Sequence, residues 1–459
     1  MGEVSHGSHN GSALNARVLK ALGVFSSTQA LGILCNVART KLVSVWIGTV
    51  GVGLFGIYSA AVELIATITQ MSLRSSAVRD IAALPEGSAR RRLMEAVTAR
   101  WGVILGLLGM AVMAALSPLW SEVAFGRTDM WWAFVCLSPV MLMGSVTNST
   151  QAAMQASGRL KALARASVWG ALAALAASVP LIYFFRTEGI IPVVVIYSLA
   201  TLTATLLQRA PKAQAAPRPS LAETWNIGRG FMRLGFYMTL SGAMVWGATF
   251  VLMGWLQRRG GAEAVGLYQA GSTMLIRYAG VLFTAIGMEY FPRIAAASHC
   301  RKRLGVYVWH EIVLLLRIAV PLAVAFIIFA PWIVELLYSP EFAPVVPYVV
   351  IGTVGLVARV AAWCMSFMMI ARADGRLFAT VEGISTILFL GLHMAGYTLW
   401  DVTGLGAAFT AWYLLYLAMV WGVCSVRYRL PLKPRAAALL LAALAIVSGC
   451  VVIFLAYTR

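Results

Sequence analysis

Acidic side chains are scarce in this chain of 459 residues. Only 17 Asp and Glu stand against 36 Lys and Arg, and charged residues of both signs make up 12% of the whole. An ordinary soluble domain is about a quarter charged and roughly half apolar. At 60% hydrophobic and a mean hydropathy of +0.82, this chain is excluded from that class. Cysteine is rare as well. The six (Cys35, Cys136, Cys300, Cys364, Cys424 and Cys450) are scattered, mostly within apolar runs, with no pair at metal or redox spacing. They read as small packing residues. Histidine offers no cluster either, since His310-Glu311 stands near a predicted helix end without partners. No metal site, nucleophile, acid–base pair or cofactor site emerges. No loop is long enough to form a separate catalytic domain.

What the chain does have is apolar runs. Backbone in lipid must satisfy its own hydrogen bonds, so spanning segments are helices or closed barrels. Runs of about 20 apolar residues favour helices. Spans are predicted at 21–46, 51–77, 96–118, 130–156, 162–186 and 189–209. A second set follows at 231–256, 264–290, 307–333, 346–371, 377–400 and 404–426, and one more run covers 434–457.

The two sets are copies. Gly48, Val52, Gly53, Leu54, Ala66, Ile81, Ala82, Ala83, Pro118 and Glu122 recur ungapped as Gly261, Val265, Gly266, Leu267, Ala279, Ile294, Ala295, Ala296, Pro331 and Glu335, all 213 positions later. Gly158-Arg159-Leu160 then matches Gly375-Arg376-Leu377, 217 later. Even numbers of spans in each copy give both the same orientation, as in parallel-repeat transporters.

The predicted organisation is therefore all-α and polytopic: a cytoplasmic N-terminus (1–20), a six-helix N-lobe (21–209), a linker (210–230), a six-helix C-lobe (231–427) and an accessory helix (434–457). The linker carries Pro211, Pro217 and Pro219 among small and basic residues. The net charge of +19 might point to nucleic acid, but its placement does not. With the N-terminus inside, most Lys and Arg fall on the cytoplasmic side, as in Arg90-Arg91-Arg92 and Arg301-Lys302-Arg303. The first 15 residues are polar, without a cleavable signal, and a thirteenth span would leave the C-terminus outside.

Gly51-Val-Gly53-Leu-Phe-Gly56 fits the dinucleotide-binding spacing, but it opens a membrane helix rather than a βαβ unit. Its glycines read as a tight turn and a close helix contact. The informative residues are ionisable ones at depth. Arg277, Arg317, Arg359 and Glu63 each lie about 11–13 residues into a span, near mid-membrane at about 1.5 Å per residue. A charge there costs roughly 2.5–3.5 kcal/mol on insertion scales and normally faces a cavity or a partner. One carboxylate cannot neutralise three arginines, so the surplus suggests a cavity for anions. Arg39 lies nearer the outer third of the first span, and Arg74 and Arg79 sit at the inner end of the second. Glu311 and Glu382, about five residues from helix ends, read as interface residues paired with local Arg.

The segment Gly32-Ile-Leu-Cys-Asn-Val-Ala-Arg39-Thr-Lys41-Leu-Val-Ser-Val-Trp-Ile-Gly48 resembles the N-terminal signature of Wzx-type O-antigen flippases. So do Gly51-Val-Gly53-Leu-Phe-Gly56 and Leu73-Arg74-Ser-Ser-Ala-Val-Arg79-Asp80-Ile-Ala82. These flippases belong to the multidrug/oligosaccharidyl-lipid/polysaccharide exporter superfamily. The resemblance implies two six-helix lobes in a V shape, alternating access, and an undecaprenyl-diphosphate-linked oligosaccharide crossing a bacterial inner membrane. It also implies a functional arginine at Arg39, and a route shared with a polysaccharide polymerase and chain-length machinery.

On that expectation Arg39, Arg277, Arg359 and Arg317 would bind the diphosphate, and Arg74 and Arg79 would attract the headgroup at a cytoplasmic entrance. Gln29, Asn36, Gln70, Asn148 and Gln151 would face the glycan or make interhelical hydrogen bonds. Glu63 would carry a coupling H+ or Na+, or pair with Arg277. The rival readings are a cation-coupled multidrug exporter and, less favoured, a membrane enzyme of polysaccharide assembly. The first would want more deep acids, and the second a catalytic domain.

Overall fold

In their described parts the predicted spans fall largely on helix in the computed structural model, which describes residues 31–71, 73–85, 87–209, 219–297, 300–372, 374–430 and 433–457. The helices are α1 (the described part being 31–46), α2 (Gly48–Gln70), α3 (Leu73–Ala82), α4 (Ala89–Ala115), α5 (Ser117–Phe125), α6 (Trp131–Ala156), α7 (Leu160–Phe185) and α8 (Ile190–Leu207). They continue as α9 (Leu221–Ser272), α10 (Ala279–Ala296), α11 (Arg301–Leu337), α12 (Val345–Ala371), α13 (Gly375–Arg427) and α14 (Pro434–Tyr457). Among the described residues, nine continuous stretches are long and apolar enough to cross a membrane. Three of them, 160–207, 239–278 and 375–427, each take in two predicted spans. The chain is thus an all-helical, multi-pass membrane protein.

Two boundaries differ from the sequence reading. The second span ends at Gln70, where Met71 turns the backbone at φ 43°, so Arg74 and Arg79 lie on the separate helix α3. The third begins earlier, at Ala89, with Ser88 capping the Arg91 amide, and α5 follows it after a single turn residue.

The chain divides into two compact units. One comprises Met1–Trp46, Ala61–Glu122 and Arg127–Thr239; the other comprises Ile47–Ala60, Val123–Gly126 and Leu240–Arg459. In the first, α6 packs on α4 and α8, and α7 on α8. Small residues bring the helices close: a Cβ at Gly106 of α4 would lie 2.9 Å from the Leu142 Cα of α6. Several basic residues read as topology signals also close helix ends. Arg91 donates to the Ala156 carbonyl in the last turn of α6 (2.8 Å), and Arg159 to that of Gln208 after α8 (3.0 Å).

The start of α9 is fixed in the same unit. Arg100 donates to the Pro219 carbonyl (2.6 Å) and Trp101 to that of Thr224 (2.8 Å). Ser220 and Glu223 form a capping box, with the Ser220 amide on the Glu223 carboxylate (2.7 Å) and the Glu223 amide on the Ser220 hydroxyl (3.1 Å). The Ser220 backbone N–H and hydroxyl hold the Glu223 carboxyl below its ordinary range. Its contribution is therefore complete above the ordinary carboxylate pKa and is lost as pH falls through the lowered one. Ser220→Ala should cost about 1 kcal/mol locally. Faster amide hydrogen exchange at Glu223 and Thr224, with the rest of α9 unchanged, is the expected reading.

The second unit contains the contact that the repeat encodes. Gly48 and Gly261, equivalent in the two copies, both adopt left-handed φ (80° and 69°) at a helix start. Five residues on, Gly53 and Gly266 bring α2 and the second limb of α9 into backbone contact. A Cβ on Gly53 would strike the Ala262 carbonyl oxygen, and one on Gly266 would strike that of Thr49. Ala262 is itself the repeat mate of Thr49, so the contact is reciprocal. The close helix packing expected of these glycines is what the structure contains. The α13 break at Trp400–Asp401 has a similar echo: Asp401 (φ 53°, ψ −141°) has nearly the backbone of Arg186 (φ 48°, ψ −124°), which closes α7. Helix α14 packs on α11 and α12 through Ala436, Leu440, Ala443, Val447 and Val451, one stripe of small and branched residues.

Candidate functional site

A cavity of about 470 Å³ opens inside the second unit, lined by α2, α9, α12, α13 and the segment between α9 and α10. That segment, Thr273–Tyr278, is a π-helical turn. Such a turn carries one residue more than an α-turn and leaves carbonyls without their usual partners. Here the Arg359 guanidinium of α12 supplies a donor, its Nη1 reaching the carbonyls of Leu275 (3.1 Å) and Ile276 (3.4 Å), the latter also accepting from the Ala279 N–H. The same turn presents Arg277, an exposed side chain on the cavity wall, 6.0 Å from the Trp246 ring centroid. Arg359 also lies over Phe283 (5.0 Å) and Tyr413 (5.6 Å).

Aromatic rings are prominent on the wall: Trp246, Tyr268, Trp363, Phe367, Phe378, Phe389, Trp412, Tyr413 and Tyr416. The rings support one another. Trp363 lies 4.6 Å from Phe367 and stacks 5.8 Å from Tyr290, while Trp412 lies 4.9 Å from Phe389 and 4.3 Å from Tyr413. The Trp412 indole N–H is tied to the Ser385 carbonyl (3.0 Å) and hydroxyl (2.9 Å). Among the described residues, the one carboxylate on the wall is Glu382, whose Oε1 accepts from the Tyr416 hydroxyl at 2.5 Å.

The structure thus brings two of the four predicted arginines, Arg277 and Arg359, to one cavity. Arg317 is exposed on α11 and is not among the residues lining it. Arg39 belongs to the first unit, where its Nη2 donates to Asn36 (2.9 Å) and its guanidinium lies 4.6 Å from the Tyr197 centroid. Glu63 is exposed in the same unit. Arg74 and Arg79 are exposed on α3, and Arg79 pairs with Asp80 (2.6 Å).

The glycan candidates divide. Gln29 lies outside the described residues. Asn148 donates to Gln70 (3.0 Å) and Gln151 to Thr205 (3.3 Å), which are helix-to-helix bonds. Asn36 is exposed beside Arg39. Glu311 does pair with a local arginine, Arg293, and is 1% exposed. Glu382 corrects the sequence reading, since its partner is Tyr416 rather than an arginine, and it faces the cavity. Sequence reasoning also missed the aromatic wall. The available signal was the spacing of Trp363 with Phe367 and of Trp412-Tyr413 with Tyr416, which put rings on one helical side.

Chemically, the cavity sets two guanidiniums beside flat aromatic plates and the carboxylate of Glu382.

Comparison with known proteins agrees with this picture. The model of a family described as polysaccharide biosynthesis protein matches residues 94–347, more than half of the chain. No curated protein matches. Among solved structures, an inward-facing multidrug resistance MATE family transporter of the MOP superfamily is similar over 90% of this chain and 95% of its own, at 16% identity and a TM-score of 0.69. The lipid II flippase MurJ in an inward closed conformation is similar over 96% and 100%, at 11% identity and a TM-score of 0.63. A MOP superfamily transporter from Pyrococcus furiosus, described by the reverse polarity of its binding pocket, is similar over 92% and 96%, at 15% identity and a TM-score of 0.63. The fold is the transporter fold of that superfamily.

Proposed function

The chain belongs to the polysaccharide biosynthesis protein family, and from that premise we propose that it is a flippase for undecaprenyl-diphosphate-linked oligosaccharide. The cargo is an O-antigen unit or another surface-polysaccharide repeat unit. It moves by alternating access from the cytoplasmic to the periplasmic leaflet of a bacterial inner membrane, whose polymerase and chain-length machinery would take it over. The single observation that carries the reading is the pair Arg277 and Arg359 on the wall of one cavity rich in aromatic rings.

A lipid-linked oligosaccharide combines a diphosphate, a polar glycan and a long apolar tail. Guanidinium groups keep their charge at any depth and grip phosphate oxygens in pairs. Arg277 is the better placed, because Arg359 already serves two carbonyls. Arg39 and Arg317 would contribute along the route, with Arg74 and Arg79 at the cytoplasmic entrance. The Lys and Arg bias sets the N-terminus inside and the C-terminus, after α14, outside. Glu63 is the candidate for H+ or Na+ coupling. Similarity of fold to a lipid II flippase supports the substrate class.

Glu382 among aromatic rings also favours a second reading, export of lipophilic cations. Two guanidiniums against one carboxylate leave the wall positive, which disfavours it. One assay separates the two. Proteoliposomes carrying the purified protein should move a fluorescent prenyl-diphosphate oligosaccharide to the leaflet reached by an impermeant reagent, leaving its chemistry unchanged. Ethidium efflux without that movement would establish the cation exporter instead.

A further inference from the structure

We propose that Glu382, held by Tyr416 beside the Trp412 plate, determines specificity for the sugar joined to the diphosphate, admitting a neutral or N-acetylated sugar and rejecting a uronic acid. The proposal rests on the flippase reading and adds to it the identity class of one sugar position.

The argument begins with what the arginines leave unexplained. A site for a bare diphosphate needs donors and positive charge; a carboxylate in its wall opposes both. Glu382 stands there nonetheless, and among the described residues no Lys or Arg forms an ion pair with it. Tyr416 occupies Oε1, while Oε2 has no hydrogen-bond partner among the described residues. The carboxylate is therefore oriented and still able to accept one more hydrogen bond. Arg359 lies 5.6 Å from the Tyr413 ring centroid, and Tyr413 lies 6.3 Å from Tyr416, which holds Glu382, so a short run of rings links the cationic and acceptor groups.

A ligand that satisfies both ends must carry an anion at one end and O–H or N–H donors at the other. The body between them must have an apolar face. A hexopyranose diphosphate meets all three conditions: phosphate oxygens for Arg277, axial C–H groups for the ring faces, and a hydroxyl or acetamido N–H for Glu382. The double anchor of the Trp412 indole on Ser385 fixes its plane before any ligand arrives, which lowers the ordering cost of binding. The cavity of about 470 Å³ falls within the size of small-ligand sites and holds one sugar with its diphosphate, not a whole repeat unit. Only the diphosphate-linked sugar is read here.

Rejection follows from charge. A uronic acid would set its carboxylate against Glu382 in a confined wall, a repulsive element of the kind that builds specificity. The neutral amide in Glu382→Gln keeps the shape and an acceptor oxygen, and removes the repulsion.

The test uses the full chain in proteoliposomes with two probes, prenyl-diphosphate-N-acetylglucosamine and prenyl-diphosphate-glucuronic acid. Initial rates of leaflet exchange are compared as a ratio. The natural chain should prefer the N-acetylated probe by about tenfold or more, and Glu382→Gln should narrow the ratio to within about threefold, chiefly by raising the uronate rate. Glu382→Ala likewise removes the charge, so it should also lower the ratio, and it carries the test if the Gln variant fails to fold. Equal rates for both probes with the natural chain, or a ratio unmoved in the folded variants, would overturn the assignment of Glu382 while the flippase reading stands. Movement of neither probe by the natural chain overturns both.

Discussion

Arg277→Ala should reduce export of the lipid-linked oligosaccharide about 10- to 100-fold at near-normal protein abundance. A charge-assisted hydrogen bond contributes about 1.5–3 kcal/mol, and each 1.4 kcal/mol is a factor of ten. Arg277 is exposed to the cavity and forms no ion pair among the described residues, so its removal orphans no buried group. Lys should restore export only in part, because it keeps the charge without the planar fork. Arg359→Ala provides the contrast. It removes a charge-assisted hydrogen bond of about 1.5–3 kcal/mol from the carbonyl of buried Leu275, while the Ile276 carbonyl keeps the Ala279 N–H, and abundance should fall along with export. Full export from the Arg277→Ala, Arg359→Ala double variant, with Arg39→Ala added, would remove the anion site altogether. Immunoblots of membranes beside leaflet-resolved assays of the lipid-linked intermediate supply both readouts.

The second large effect lies in the glycine crossing. Gly53→Val or Gly266→Val should abolish accumulation of folded protein, since each new side chain would have to occupy the space of a backbone carbonyl on the facing helix. Overpacking a flexible core costs about 1–3 kcal/mol, and here the obstacle is main chain that cannot rotate aside. Gly391→Ala is the control. Nothing lies within 4 Å of its Cβ position, and Ala gains up to about 1 kcal/mol over Gly inside a helix. Size-exclusion profiles of fluorescent fusions should show a monodisperse peak for Gly391→Ala and none for the valine variants. A normal peak for Gly53→Val would mean that the two helices do not touch there.

These features were legible in the chain to different degrees, for physical reasons. Apolar length and the 213-residue repeat exposed the helices and the crossing, because left-handed starts and backbone contacts each demand glycine at fixed positions. Depth along a span was legible too, which brought Arg277 and Arg359 forward. Direction around the helix was not. A membrane helix is apolar on the side facing lipid and often on the side facing protein, so periodicity barely distinguishes them. Arg317 shared the expected depth and is still not among the residues lining the cavity. Glu382 was placed by its distance from a helix end, whereas its partner Tyr416 comes from the other limb of α13, 34 positions away. The π-turn left no mark in hydropathy, because one extra residue in an apolar run changes geometry and not composition.

That turn gives the cavity a form of accounting between two sites. The carbonyls of Leu275 and Ile276 and the oxygens of an arriving phosphate compete for one guanidinium, Arg359. An anion that draws it away takes a donor from the Leu275 carbonyl, while Ile276 keeps the Ala279 N–H, and a helix that closes into regular α-geometry releases Arg359 for the anion. Helix register and ligand occupancy are then two coordinates of one equilibrium. By thermodynamic reciprocity, whatever factor the ligand applies to the register, the register applies to the ligand's affinity.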